Sequence, residues 1–194
     1  MTRILPRLVA PPILALLLVA FASVLARPAD ASAANYYKLS AYHSALVLDV
    51  EGGSTRAGAR VIQWYDNGGS NQHWTVPLEF SAVLGGSADG PIVNQRSGQC
   101  LTTDGVAGHQ LFQYPCQTRA DGSPVAGQQW RVENVDADGV LWHSTLIKSL
   151  DYGLVVDVSG SSYAPGAAVV TWRQGSAGYY YKYALNQIFN QARA

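Results

Sequence analysis

The chain has 194 residues, with 13 basic and 13 acidic side chains, 19 glycines and only 13% charged residues. That length suits one domain or two small ones, and it is enough to bury a core without help from metals or disulfides. Balanced charge argues against a nucleic-acid partner, whose affinity would rest on clustered lysine and arginine.

In chain order, the first 34 residues read as a leader. Arg3 and Arg7 precede an uncharged apolar run from Leu8 to Ala26, and Ala31-Ser32-Ala33 offers an A-x-A cleavage site. This is the layout of a secretory signal peptide. An uncleaved anchor is the alternative, because the run is nearly long enough to span a bilayer. Pro11 and Pro12 interrupt that run, and its small-residue exit favours cleavage. The leader takes three basic residues and one acidic one, leaving 10 basic and 12 acidic side chains from about Ala34 onward. No later segment reads as a membrane span, so a secreted, extracellular domain over 35–194 is expected.

Both cysteines, Cys100 and Cys116, lie in that exported part, where a disulfide between them is the default. A zinc site is the competing reading, but His109 alone between them leaves the ligand set incomplete.

After the leader one pattern occurs three times. The first unit, over about 36–80, reads Leu48-Asp49-Val50, Gly58, Val61-Ile62-Gln63-Trp64 and Asn71-Gln72-His73-Trp74. The second, over about 90–135, is looser: Cys100-Leu101-Thr102, Gly108, Leu111-Phe112-Gln113-Tyr114 and Gln128-Gln129-Trp130. The third, over about 142–190, reads Val156-Asp157-Val158, Gly166, Val169-Val170-Thr171-Trp172 and Asn186-Gln187-Ile188-Phe189. Asp49 and Trp64 are 15 residues apart, as are Asp157 and Trp172, and a glycine stands six residues before each of Trp64, Tyr114 and Trp172.

Each unit reads as β. Leu48 and Val50 alternate with Asp49, and Gly/Ser clusters such as 51–54 and 67–70 supply turns. No amphipathic helix of useful length follows the leader. Units of about 50 residues cannot bury an apolar face alone, so three are expected to close around a shared core. Trp74, Trp130 and Phe189 are the core candidates. Residues 81–90 and 136–139 read as loops, and Asp136-x-Asp138-Gly139 as a turn rather than a calcium loop, since the distal glutamate is missing.

The three closing elements, Gln72-x-Trp74, Gln128-x-Trp130 and Gln187-x-Phe189, resemble the Q-x-W repeat of ricin B-type lectins, over 36–190. The resemblance implies an all-β, twelve-stranded β-trefoil with pseudo-threefold symmetry, one potential sugar site per repeat and no catalysis. It also places Cys100 and Cys116 where the family often has a disulfide inside a repeat. The residue chemistry suits a sugar. A carboxylate accepts hydrogen bonds from vicinal hydroxyls, an indole supports the C–H face, and an amide takes a further hydroxyl. By motif position the first site comprises Asp49 as acceptor, Trp64 as platform and Asn71 as amide, with Gln72 as support. The third comprises Asp157, Trp172, Asn186 and Gln187.

Departures from the pattern matter. Ile62, Phe112 and Val170 stand where a glutamine often reaches the sugar. The second repeat has Thr102 for the aspartate and Gly127 for the asparagine, so Thr102, Tyr114 and Gln128 form at best a degenerate site. An insertion over 175–184, with Tyr179-Tyr180-Tyr181, extends or covers the third site.

There is no G-x-S-x-G, H-E-x-x-H or phosphate-cradling loop, and His43, His73, His109 and His143 are scattered and read as structural. Asp49 and Glu51 are too close in sequence to flank a glycosidic bond. The expectation is a non-enzymatic lectin gripping galactose-type or related sugars. It needs no metal or cofactor and acts as a monomer, with carbohydrate as partner and no membrane contact after cleavage. The rival reading is a trefoil protein-interaction module, such as a protease inhibitor, whose sugar sites have decayed.

Overall fold

The computed structural model describes residues 35–77, 86–135, 144–175 and 183–194. The leader, the turn at 136–139, His143 and most of the tyrosine-rich insertion lie outside the described residues. The first repeat contributes β1 (Tyr37–Ala41), β2 (Val47–Val50), β3 (Val61–Trp64) and β4 (Trp74–Thr75). The second contributes β5 (Ser87–Gly90), β6 (Val93–Asn94), β7 (Cys100–Thr102), β8 (Phe112–Tyr114) and β9 (Trp130–Val135). The third contributes β10 (Ser144–Ser149), β11 (Val155–Val158), β12 (Val169–Trp172) and β13 (Ile188–Arg193).

These strands make a β-trefoil. Antiparallel pairs run β1–β4, β4–β6, β5–β9, β9–β10, β10–β13 and back from β13 to β1, which closes a barrel with β5 and β6 as one wall. Closure leaves no open barrel edge. The remaining strands form three hairpins, β2–β3, β7–β8 and β11–β12, that cap one end. Two expectations need correction. Residues 87–90, read as loop, are a strand paired with β9 from Ser87↔Glu133 to Gly90↔Trp130. Thirteen strands are present among the described residues, not twelve, because the wall breaks after Gly90. Pro91 stands at that break and has no N–H for a ladder.

Trp74, Trp130 and Phe189 are fully buried at the barrel centre, as expected, against Leu39, Leu48, Leu101 and Ile147. The two indoles also find acceptors: Trp74 Nε1 donates to the Leu48 carbonyl at 3.2 Å and Trp130 Nε1 to the Leu101 carbonyl at 2.9 Å. Cys100 and Cys116 are joined in a disulfide.

The hairpins are tied to one another in a ring. Gly58 N donates to Gln113 O at 2.7 Å and Gln113 N returns to Ala59 O at 2.9 Å. Gly108 and His109 make the same exchange with Thr171, and Gly166 and Ala167 with Gln63. Gly58, Gly108 and Gly166 hold φ of 80°, 89° and 84°, the left-handed region that glycine enters without Cβ strain. Buried side chains lock the ring. Gln63 Nε2 donates to Ser162 O and Ala164 O, both at 2.8 Å, and Gln113 Nε2 to Ser54 O and Arg56 O at 2.9 and 3.0 Å. Thr171, shorter, reaches one carbonyl, Val106 O at 3.3 Å, and pairs with the Thr103 hydroxyl at 3.2 Å.

One core position breaks the symmetry. Gln191 follows Phe189 by two residues, as Val76 follows Trp74 and Val132 follows Trp130. It is buried, and neither side-chain oxygen nor nitrogen has a partner among the described residues. Burying such an amide costs about 1–3 kcal/mol. Gln191→Val is therefore expected to raise the unfolding free energy by about 1–2 kcal/mol in urea titrations. An unchanged or lower midpoint would mean that the amide is satisfied by bound water.

Candidate functional site

The strand alternation that buries Leu48 and Val50 in the barrel cap turns Asp49 outward, to the base of a depression roofed by the end of β3. Immediately after β2 the chain makes a single 3-10 turn over Glu51–Gly53, with Gly52 at φ 63°. The third repeat copies it after Asp157, with Gly160 at φ 64° over Ser159–Ser161. These turns carry the chain back along the rim. β3 buries Val61, Ile62 and Gln63 and exposes Trp64, which is 39% accessible; β12 does the same and leaves Trp172 at 49%. The two indoles stand outside the core.

In the first depression, of about 430 Å³, Asp49, Trp64 and Asn71 converge over an Ile62 floor. Gln72 lies beneath, fully buried. Its Nε2 donates to Asp49 Oδ2 at 2.7 Å and to Tyr65 O at 2.8 Å, while its Oε1 accepts Asn67 N at 2.9 Å. Asn71 Nδ2 donates to the same Asp49 Oδ2 at 3.0 Å and to Val50 O at 3.3 Å. One carboxylate oxygen is thus saturated by the protein, and Asp49 Oδ1 accepts no hydrogen bond from any described residue. Asn71 spends its donors internally, so its free group is the acceptor Oδ1.

The third depression is larger, about 600 Å³, and brings together Asp157, Trp172, Asn186 and Gln187 over Val170. Gln187 Nε2 donates to Asp157 Oδ2 at 2.8 Å and to Arg173 O at 2.9 Å, and its Oε1 accepts Gly175 N at 2.9 Å. Asn186 Nδ2 donates to Val158 O at 3.1 Å. Ala184 N donates to Gly175 O at 3.1 Å, which draws together the two ends of the insertion at the rim of this depression.

The second repeat keeps the supporting glutamine and lacks the aspartate and the asparagine. Gln128 Nε2 donates to Thr102 Oγ1 and Pro115 O, both at 3.1 Å, and its Oε1 accepts Gln117 N at 2.9 Å. Tyr114 is exposed, at 41%. At Gly127 a Cβ would lie 2.2 Å from the Thr103 carbonyl oxygen, so no side chain fits where the other repeats carry asparagine.

The sequence motifs did not reveal that each depression is shared between repeats. Gly166 of the third repeat lies under Trp64, where an added Cβ would meet Cζ3 at 3.5 Å. Gly108 of the second lies under Trp172, and its Cβ would come to 2.7 Å of Cζ3. The recurring glycine six residues before the aromatic was the available signal, but Gly166 and Gly108 serve the indole of the next repeat in the ring, while a Cβ at Gly58 would meet nothing within 4 Å. Of the histidines, His43 and His73 are half-buried and bonded to Ser162 O and Gln95 Oε1, and His109 is exposed beside Asp104.

The sequence profile of the ricin-type beta-trefoil lectin domain-like family matches residues 25–87 and 80–172. The chain belongs to that family. Among curated proteins, none matches it. Among solved structures, it is similar to the designed threefold-symmetric protein ThreeFoil, at 29% identity and TM-score 0.61, covering 81% of this chain and 97% of that one. It is similar to the exo-beta-1,3-galactanase 1,3Gal43A from Clostridium thermocellum at 28% identity and TM-score 0.61, covering 82% of this chain but 30% of the enzyme. The C-half of an earthworm R-type lectin, in complex with GalNAc, matches at 21% identity and TM-score 0.55, over 82% and 99% of the two chains. A fold shared with ricin B-like lectins suggests carbohydrate binding.

Burial is the main cause that raises the Asp49 and Asp157 carboxyls above the ordinary range, opposed by the Gln72 and Asn71 amides in one and by Gln187 and Asn186 in the other. Asp66, Asp89 and Asp104 are held low, chiefly by Lys38, Arg131 and His109. Acidification from neutral should therefore protonate Asp49 and Asp157 first. Because their folded-state values are raised, protonating them adds stability, whereas the depressed group loses its contribution only as pH falls through the ordinary carboxylate range and below. Carboxyl-carbon NMR titration is expected to show this order, and Asp49 titrating together with Asp66 would refute it.

Proposed function

We propose that the chain is a secreted, non-catalytic lectin that grips galactose-type sugars at the first and third depressions. The observation that carries this reading is the Asp49 carboxylate, with one oxygen saturated by Gln72 and Asn71 and the other open beneath an exposed indole. Two hydroxyls on adjacent ring carbons can share Oδ1, or one can add Asn71 Oδ1, while the C–H face of the sugar lies on Trp64. Asp157, Trp172, Asn186 and Gln187 repeat the arrangement. Thr102, Tyr114 and Gln128 lack the acceptor and carry no binding. The galactanase and the GalNAc-bound lectin among the similar structures favour a galactose-type ligand over other hexoses. Residues 1–34 serve as the export signal and the exported chain is a monomer.

Monosaccharide affinity should be weak, since hydroxyls exchange one set of hydrogen bonds for another, and two sites on one rigid body gain avidity on a polysaccharide. The test is a glycan array with lactose and galactan, run on the protein and on Asp49→Asn/Asp157→Asn. The double variant is expected to lose binding while keeping its circular-dichroism spectrum. At neutral pH it should be no less stable, because the amides remove two carboxylates whose ionisation burial disfavours. Binding by the parent should weaken on acidification while the fold persists. A folded parent with no glycan signal, or a double variant with full signal, would overturn the assignment.

A further inference from the structure

The two depressions share a backbone but differ in charge. In the first, Glu51 stands on the rim above Asp49, and no basic residue lines the space. Glu51 is engaged by Arg60, whose Nη2 lies 2.7 Å from Oε2. In the third, Ser159 replaces Glu51 and Arg173 replaces Tyr65. Arg173 lines that depression beside Trp172 and Asp157, and it is exposed.

Its placement is not that of a loose surface arginine. The Arg173 carbonyl accepts Gln187 Nε2 at 2.9 Å, and the same nitrogen holds Asp157 Oδ2 at 2.8 Å. One buried amide therefore ties the Arg173 main chain to the carboxylate at the base of the site, leaving only the side chain to swing. The guanidinium makes no ion pair or hydrogen bond with any described residue. Residues 176–182, Ser-Ala-Gly-Tyr-Tyr-Tyr-Lys, contain no carboxylate that could neutralise it. Asp157 is itself occupied on Oδ2, and its open oxygen is needed for hydroxyls.

We infer that the third site is selective for an acidic sugar: a pyranose bearing a carboxylate or sulfate ester, whose ring hydroxyls meet Asp157 and whose oxyanion is forked by Arg173. The inference rests on the proposed sugar-binding reading and adds a division of labour to it. The first site takes neutral residues, because an anion there meets the Asp49 carboxylate with no cation lining the space, and the third takes acidic ones. A guanidinium suits this role since its planar donors match a carboxylate or sulfate in pairs. Such a chain would bridge neutral and acidic residues of one polysaccharide.

The test isolates each site. Asp49→Asn leaves the third site and Asp157→Asn the first, and each is titrated calorimetrically with methyl galactoside, methyl galacturonoside and 6-sulfated methyl galactoside. With only the third site, the acidic sugars should bind about five- to tenfold more tightly than the neutral one at low salt, and the advantage should shrink as ionic strength rises. With only the first site they should bind no better than the neutral sugar. Adding Arg173→Gln to Asp49→Asn should abolish the preference. The galacturonoside and sulfate arms tell which oxyanion is preferred. Equal affinity for neutral and acidic sugars at the third site, or a preference that survives Arg173→Gln, would overturn this inference alone. No sugar binding by either single-site variant would overturn the lectin reading as well.

Discussion

Everything above the barrel depends on the exchange of hydrogen bonds between each hairpin and the loop of the preceding repeat. A hairpin alone is marginal in water, and three hairpins over an open barrel end would leave Val61, Leu111 and Val169 wet. Cross-bonds such as Val61 N to Leu111 O and Leu111 N to Val169 O, each 2.8 Å, close that end. The surrounding clasp at Gln63, Gln113 and Thr171 then makes the closure cyclic. Because the clasp carries one repeat's left-handed glycine against the next repeat's platform, no depression belongs to one repeat. Trp64 is posed by the third repeat and Trp172 by the second.

Much of this was legible in the sequence. The repeat, the all-β class and the buried Trp74, Trp130 and Phe189 follow from periodicity and spacing, and the Cys100–Cys116 pair from the oxidising compartment that the leader led us to expect. The convergence of Asp49 with Asn71 and Gln72 was foreseeable only through motif position, since 22 or 23 residues separate partners that the fold brings within 3.0 Å. The strand over 87–90 was not legible: Ser-Ala-Asp-Gly has little β propensity and earns its place by pairing with β9. Nor was the role of Gln63 and Gln113. Both stood in the repeated pattern immediately before the aromatic, but a polar residue there reads as solvent-facing until the neighbouring repeat's carbonyls are in place.

The first and third depressions show how far the chemistry of a rim can diverge on one backbone. Their aspartates, turns, exposed indoles and supporting glutamines correspond, and the differences fall on side chains at the rim. Glu51 and Ser159 occupy the same step of the same 3-10 turn. Tyr65 and Arg173 offer the same carbonyl to the same glutamine. Since the backbone carbonyl does the structural work, the side chain at that position is free to vary, and charge at the rim can change without disturbing the carboxylate at the base.

The second repeat separates what the closing glutamine is for. Gln128 faces no aspartate, yet it makes all the contacts of its counterparts: an oxygen at the end of the second strand, the carbonyl after the platform aromatic, and the amide two residues further on. It persists where the carboxylate is replaced by Thr102 and the asparagine position is closed by the Thr103 carbonyl. The glutamine of the Q-x-W element therefore pins the platform loop to the hairpin, and its hold on Asp49 or Asp157 is a use of that existing bond. The closing glutamine consequently belongs to the fold, while the aspartate, the asparagine and the rim charges are free to differ between repeats.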